Sequence, residues 1–384
     1  MTLRLMSVVG ARPNFMKIAP LLRAIGRHPG ALSSILVHTG QHYDAAMSDA
    51  FFRALQIPEP DVHLGIGSGT HAEQVGRTMI AFEKAVRELR PDWVVVVGDV
   101  NATCACAITA RKEQVRLAHV EAGLRSFDMA MPEEINRLVT DRLSDLLFTT
   151  DALADANLRA EGVPESRIRR VGNIMIDALD QHRESAASLS PAAIVAAQGL
   201  PRSQPLPPLP DLGFAALTLH RPSNVDEPAI LRALAAYFLE EVAAELPLVW
   251  PVHPRTAKQL QQLGLWDRLT AARNIVLTQP VDYHAMLRLT MGARVLLTDS
   301  GGLQEESCIF GVPCLTLRWN TERPVTLREH GGVSVLVGND VARIREEFRR
   351  ALELPHTPHR PPLWDGHAAD RIVQAFLGLG KGAP

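Results

Sequence analysis

Trp93-Val94-Val95-Val96-Val97-Gly98-Asp99-Val100-Asn101 is the stretch on which the fold turns. Five apolar, mostly β-branched residues in a row read as a strand covered on both faces. The glycine that ends the run is followed by polar residues opening a segment of helical period. Such a strand belongs to a parallel sheet, whose strands are joined by crossover helices. The same unit recurs outward from it. Leu3–Val9, Ile35–Val37, Leu117–Val120 and Leu146–Thr149 are short apolar runs, each followed by a turn residue and a helix-like stretch. Thr70-His71-Ala72-Glu73 has capping-box spacing ahead of a helix running through Arg90. The alternation restarts with Phe214–Leu219, Leu248–Pro251, Ile275–Leu277, Val295–Thr298, Cys314–Leu317 and Val333–Val337. Between the two sets, Ser190 to Leu212 carries six prolines and reads as an interdomain loop or a surface excursion, not a core element. The stretch Trp364–Leu377 reads as one amphipathic helix.

A length of 384 residues exceeds what one core organises, since cores stop growing near about 250–300 residues. The expected fold class is therefore α/β, with two Rossmann-like doubly wound domains facing a central cleft. The first spans 1–172 and the second 173–365. Hydrophobic content of 46% and charged content of 21% lie in the globular range. A net charge of −2 argues against a duplex nucleic-acid partner but not against a small anion. No run of about 18 apolar residues is present and the N-terminus shows no small-residue cleavage site, so the reading is a cytoplasmic chain with no membrane partner. The cysteines, Cys104, Cys106, Cys308 and Cys314, match no zinc spacing and read as reduced, buried thiols, so no metal is expected.

In a doubly wound domain the ligand lies at the carboxyl ends of the strands, so motifs that follow strands carry the functional information. After the first strand comes Gly10-Ala11-Arg12-Pro13-Asn14-Phe15-Met16-Lys17, which suits an anion at a helix N-terminus and equally suits a tight turn with Pro13 opening the helix. Lysine occurs only five times in the chain, which favours function slightly. Asp99, alone, is best read as a helix cap. Glu121, in His119-Val120-Glu121-Ala122-Gly123-Leu124-Arg125, needs a partner to sit beside so apolar a strand, for instance Arg125. In Pro132-Glu133-Glu134-Ile135-Asn136-Arg137, Glu133 and Arg137 are spaced i, i+4 on a helix face, the bland reading being a surface ion pair. In the second half, His220 follows a strand in Thr218-Leu219-His220-Arg221-Pro222-Ser223-Asn224 and is a candidate acid, base or phosphate donor; His253 is less decisive. The amides of Ser300, Gly301 and Gly302 suit a diphosphate, and Glu306, a turn further on, suits ribose hydroxyls. Arg318 and Arg323 return in the loop after the next strand.

Taken together, GARPNFMKIAP, HTGQHYD, VVVGDVNAT, HVEAGLRS, MPEEINR, VGNIMID, TLHRPSNVD, PVHPRT, TDSGGLQEE and NTERP, running from Gly10 to Pro324, resemble the non-hydrolysing UDP-N-acetylglucosamine 2-epimerases. The resemblance implies the two-domain GT-B architecture, with the C-terminal helix 366–384 joining the first domain and 173–365 binding UDP. It implies a homodimer and inversion at C2 of UDP-GlcNAc to give UDP-ManNAc, through elimination of UDP to 2-acetamidoglucal and its re-addition, without a cofactor. It also implies a contribution to cell-surface polysaccharide biosynthesis. Residue by residue, it makes Asp99, Glu121 and Glu133 the acid–base groups, with Arg137 orienting and His220 near the diphosphate. Arg12, Lys17 and Arg323 would face the charge on departing UDP, Ser300, Gly301 and Gly302 the diphosphate, Glu306 the ribose, and Val281 and Met286 the uracil.

Within the same fold, the alternatives are an epimerase of a diacetamido or uronic acid UDP-sugar and a GT-B glycosyltransferase. Arg323 in NTERP favours the simple sugar. Gln41-His42-Tyr43-Asp44 departs from the family at Asp44, where some bacterial members carry glutamine in a region that binds a second, activating UDP-GlcNAc; a carboxylate near phosphates does not replace an amide donor.

Overall fold

The computed structural model describes residues 2–40, 55, 57–202 and 204–379, with the side chains of Arg12 and Pro13 excepted; Gln41 to Asp44, and with them the question of an activator site, lie outside the described residues. The chain divides into two compact units, Met1–Asp180 together with Pro361–Pro384, and Gln181–Arg360. The division thus falls inside the helix Ile174–Ala187, whereas the sequence reading placed it at Gly172.

Among the described residues of the first unit, seven parallel strands form one sheet: β1 Leu3–Val9, β2 Leu32–His38, β3 Val62–His63, β4 Trp93–Val97, β5 Arg116–Ala122, β6 Leu146–Thr149 and β7 Ile168–Arg170, in the order β3-β2-β1-β4-β5-β6-β7. All five residues of β4 are buried, as expected of a central strand with helices on both faces. Val94 and Val96 pack on one face with Met6, Val8, Val37 and Phe82. The helix His71–Leu89 starts at Thr70, whose Oγ1 accepts the Glu73 N–H at 3.3 Å while Glu73 Oε2 accepts the Thr70 N–H at 2.9 Å. The short edge strands β3 and β7 are absent from the sequence reading because two or three residues carry no readable period.

The described residues of the second unit form six parallel strands, β8 Ala215–Thr218, β9 Leu248–Pro251, β10 Ile275–Thr278, β11 Val295–Thr298, β12 Cys314–Thr316 and β13 Ser334–Leu336, in the order β10-β9-β8-β11-β12-β13. Trp250, Leu217 and Leu297 lie at the centre of its core. Part of the proline-rich segment is core after all. Pro191–Gln198 forms a helix that buries Ile194 and Val195, because Pro191 stands at the first helical position, where its missing N–H costs nothing, and Ser190 caps the helix.

In both sheets the strand order reverses once, between β1 and β4 in the first and between β8 and β11 in the second. A crevice opens at such a point at the carboxyl ends of the strands, where the helices on either side turn away in opposite directions. Gly10 and Gly98 follow β1 and β4; Leu219-His220 and Asp299-Ser300 follow β8 and β11.

Candidate active site

In the first unit, Asn14 organises the switch point. Its Oδ1 accepts the N–H groups of Gly10 and Ala11 at 3.1 and 3.0 Å, and its Nδ2 donates to Val97 O at 2.9 Å. One turn on, Lys17 forms an ion pair with Glu121, both side chains almost fully buried. A pair this deep is costly to desolvate and destabilises sharply if one partner is removed. The cation against Glu121 is therefore Lys17. Arg125, the partner suggested by sequence, pairs instead with Asp141 at 2.7 Å and Glu161 at 2.7 Å. Lys17 comes from the helix after β1 and Glu121 from β5, 104 residues apart, and no spacing rule connects them.

Two backbone features aim this pair. Gly98 has φ +65°, and a Cβ there would stand 2.9 Å from Lys17 Nζ and 3.5 Å from Glu121 Oε2. Glu121 itself has φ +71°, a left-handed conformation that a side chain occupies at a cost of about 1–3 kcal/mol. The β5–β6 register shifts between Val120 and Ala122, so Glu121 is the bulged residue and its side chain is re-aimed.

Asp99 is not the cap of the next helix. Val100 holds that position, without a side-chain hydrogen bond, and Asp99 Oδ2 pairs with Arg137 Nη1 at 2.5 Å. The same guanidinium reaches Glu134 Oε2 at 2.5 Å from Nη2 and 2.9 Å from Nε. Glu134 also accepts from Ser126 N–H at 3.0 Å and Phe127 N–H at 2.9 Å. Burial works against its charge, but these donors hold its carboxyl below the ordinary value. Arg137 is thus braced by Glu134 and aimed at Asp99, while Glu133, half-buried in the first turn of Pro132–Leu143, is the neighbour of the braced carboxylate. Asn136 fixes the Asp99 carbonyl with a 2.9 Å hydrogen bond. The sequence reading named neither Asn14, Glu134 nor Asn136 as a site residue, although each lies inside a motif it quoted.

In the second unit, Asp299 is the organising group and was not named from sequence. It is fully buried and accepts from His220 Nδ1 at 2.8 Å, from His220 N–H at 3.0 Å, from Arg221 N–H at 2.8 Å and from Asn224 Nδ2 at 3.1 Å. Burial opposes its charge, yet His220 and the backbone donors hold its carboxyl below the ordinary value. The bond through Nδ1 orients the His220 ring and leaves Nε2 as the nitrogen that can meet a ligand, on a side chain 37% exposed. The Ser300 N–H donates to Thr298 Oγ1 at 3.0 Å, so it is already engaged. Gly301 and Gly302 stand in the first turn of Gly301–Phe310, where N–H groups lack intrahelical acceptors. A Cβ on Gly301 would lie 2.7 Å from both Arg323 Nη1 and Glu322 Oε1.

Arg323 is buried and ion-paired with Glu305, at 2.8 Å, and with Glu322; Arg318 also pairs with Glu322, at 2.7 Å. Its charge is therefore balanced at home, and it braces the glycine turn from behind. Glu306 is buried, its Oε2 has no hydrogen-bond partner among the described residues, and burial, then the neighbouring Glu305, pushes its carboxyl up to about 8. Val281 and Met286, both half-buried, flank the start of Tyr283–Gly292, which Asp282 caps at Ala285 N–H. Arg12 opens the helix after β1, and its side chain lies outside the described residues. Among the described residues no helix is long and apolar enough to cross a membrane.

A family model described as UDP-N-acetylglucosamine 2-epimerase matches residues 23–377. The UDP-N-acetylglucosamine 2-epimerase of Methanocaldococcus jannaschii is 38% identical over 389 residues, covering 99% of this chain and 100% of the relative. A UDP-2,3-diacetamido-2,3-dideoxy-D-glucuronate 2-epimerase of Pseudomonas aeruginosa is 38% identical over 381 residues, covering 98% of this chain and 100% of the relative. Among solved structures, the M. jannaschii UDP-GlcNAc 2-epimerase in complex with UDP-GlcNAc and UDP superposes with a TM-score of 0.87 at 38% identity, covering 98% of this chain and 100% of that one.

Proposed function

The chain belongs to the UDP-N-acetylglucosamine 2-epimerase family, and from that premise we propose that it interconverts UDP-GlcNAc and UDP-ManNAc by eliminating UDP to 2-acetamidoglucal and adding it back. The observation that carries this reading is the pairing of two acid–base groups with dedicated cations at one switch point, Glu121 with Lys17 and Asp99 with Arg137. In the forward step a carboxylate accepts the proton on C2, the C1–O bond to UDP breaks and the C1–C2 double bond forms. In the return step a proton is delivered to C2 on the opposite face and a UDP oxygen closes on C1. Asp99, Glu121 and Glu133 supply the two faces with proton acceptors and donors, and the cations beside Glu121 and Asp99 set each carboxylate apart from the others. Arg137 orients Asp99.

His220, held by Asp299, donates from Nε2 to the diphosphate, and the Gly301 and Gly302 N–H groups donate to its oxygens at the helix N-terminus. Ser300 contributes by shaping that turn. Glu306 holds the ribose, Val281 and Met286 flank the uracil, and Arg12 and Lys17 balance charge as UDP departs, with Arg323 fixing the turn. We assign the protein to the cytoplasm as a homodimer that feeds a cell-surface polysaccharide; its four buried, free cysteines suit a reducing compartment.

The test is incubation with UDP-GlcNAc in deuterated water, following the anomeric protons by NMR. UDP-ManNAc should appear with deuterium at C2. Turnover without deuterium at C2 would point to a transferase and sink the reading. Because the Pseudomonas relative is equally identical, the diacetamido uronic acid substrate belongs in a parallel tube, and exclusive turnover there would replace the substrate assignment.

A further inference from the structure

His119 and Asp141 form a buried pair that the proposed chemistry does not use. His119 is fully buried, its Nδ1 lies 2.6 Å from Asp141 Oδ1 and its Nε2 lies 2.8 Å from the carbonyl oxygen of Gly98. A carbonyl and a carboxylate both accept, so both ring nitrogens face acceptors. The other Asp141 oxygen accepts the Gly123 N–H at 3.0 Å and Arg125 Nη1 at 2.7 Å. Gly123 is held from its other side as well, because Asn157 Nδ2 donates to its carbonyl at 2.9 Å.

This pair ties together the two turns that carry the acid–base groups. Gly98 precedes Asp99, and its own N–H reaches Val120 O at 3.1 Å, one residue before Glu121. Gly123 follows Glu121 by two residues and is also left-handed, at φ +80°. The strained conformation at Glu121 persists only if the backbone on both sides is over-determined. Here Gly98 and Val120 fix the upstream side, and Asp141 with Asn157 fixes the downstream side.

We propose that His119 and Asp141 are positioning residues that hold Glu121 in its left-handed conformation, with its carboxylate on Lys17. The proposal rests on the epimerase reading for the reaction it tunes. Neither side chain meets substrate. Loosening either one lets residue 121 relax toward an extended backbone, which swings its carboxylate away from the position that serves C2.

The experiment compares wild type, His119→Asn, Asp141→Asn and Asn157→Ala. Each is assayed for kcat, KM and the deuterium isotope effect at C2, measured in both directions with substrates deuterated there. A misplaced proton-transfer group costs on the order of 100-fold in kcat and makes the proton step more rate-limiting, so the isotope effect rises in at least one direction while KM changes little. A purely structural defect only lowers the active fraction, which cuts kcat and leaves the isotope effect unchanged. Asn157 is half-buried and shares with Asp141 the clamp on Gly123, so its truncation loosens the same turn and preserves the test if the buried substitutions fail to fold. Wild-type kcat in the variants, or reduced kcat with unaltered isotope effects in both directions, overturns the proposal. A wild-type protein inert toward UDP-GlcNAc overturns the epimerase reading instead, and the two failures are thereby separate.

Discussion

Glu306 shows how a single buried side chain makes stability depend on pH. Burial and Glu305 raise its folded-state pKa from 4.5 to about 8. Between those two values the folded protein holds a proton that the unfolded chain has released, so its contribution to stability falls as pH rises through that window. Glu306→Gln removes the titration. Its melting temperature should decline less than that of wild type between about pH 5 and about pH 8, and equal slopes would show that Glu306 does not titrate there. At the same scale, Asp99→Asn, Glu121→Gln and Glu133→Gln should each lower turnover by about 10²–10⁴-fold, the usual worth of a general acid or base, with UDP affinity nearly unchanged by calorimetry. Near-normal turnover in all three would refute the assignment. These residues stand in motifs that were legible in the sequence, Asp99 just after β4, Glu121 near the end of β5 and Glu133 in the first turn of a helix. Their partners were not, since Lys17 meets Glu121 and His220 meets Asp299 across gaps of 104 and 79 residues. Only the closure of the sheet brings them together.

The switch-point turns are the elements that convert sheet topology into a site. Gly98→Ala places a methyl group 2.9 Å from Lys17 Nζ and forces alanine to φ +65°. Alanine in that region costs about 1–2 kcal/mol, and the methyl group displaces Lys17 from Glu121. The expected result is a folded protein, with a chemical-denaturation midpoint lowered accordingly, whose turnover falls far more than its UDP affinity. Wild-type turnover in that variant would show that the Lys17–Glu121 pair tolerates displacement. Element by element, the long buried strands and the Thr70 cap were readable because their period or spacing is local. The bulge at Glu121 was not, because a register shift is a relation between β5 and β6 that neither strand carries alone. Asp99 illustrates the same limit, since a capping role and an ion-pairing role call for the same residue at the same place, and only Arg137 decides between them.

At the scale of the whole chain, the last segment belongs to the first unit, so the second unit is an insertion between two parts of one core. Trp364 Nε1 donates to Thr150 O at 3.0 Å, Asp177 accepts the Ala368 and Ala369 N–H groups at 3.0 and 2.7 Å, and Phe376 packs edge-on to Trp93 and Phe148 with ring centroids 5.5 and 5.6 Å apart. Trp93 opens β4, the strand that leads into Gly98 and Asp99. The C-terminal helix therefore supports the base of the strand whose far end meets the Asp99–Arg137 pair. Phe376→Ala should cost about 3–5 kcal/mol, the range for emptying a buried aromatic position. The loss should be confined to one unit. Hydrogen exchange should quicken across β1, β4, β5 and β6 while the amides of Gln181–Arg360 keep their protection, and UDP should still stabilise the second unit on titration. Uniform deprotection of both units would mean that they unfold as a single cooperative block, with the final helix serving the entire chain rather than the strand it packs against.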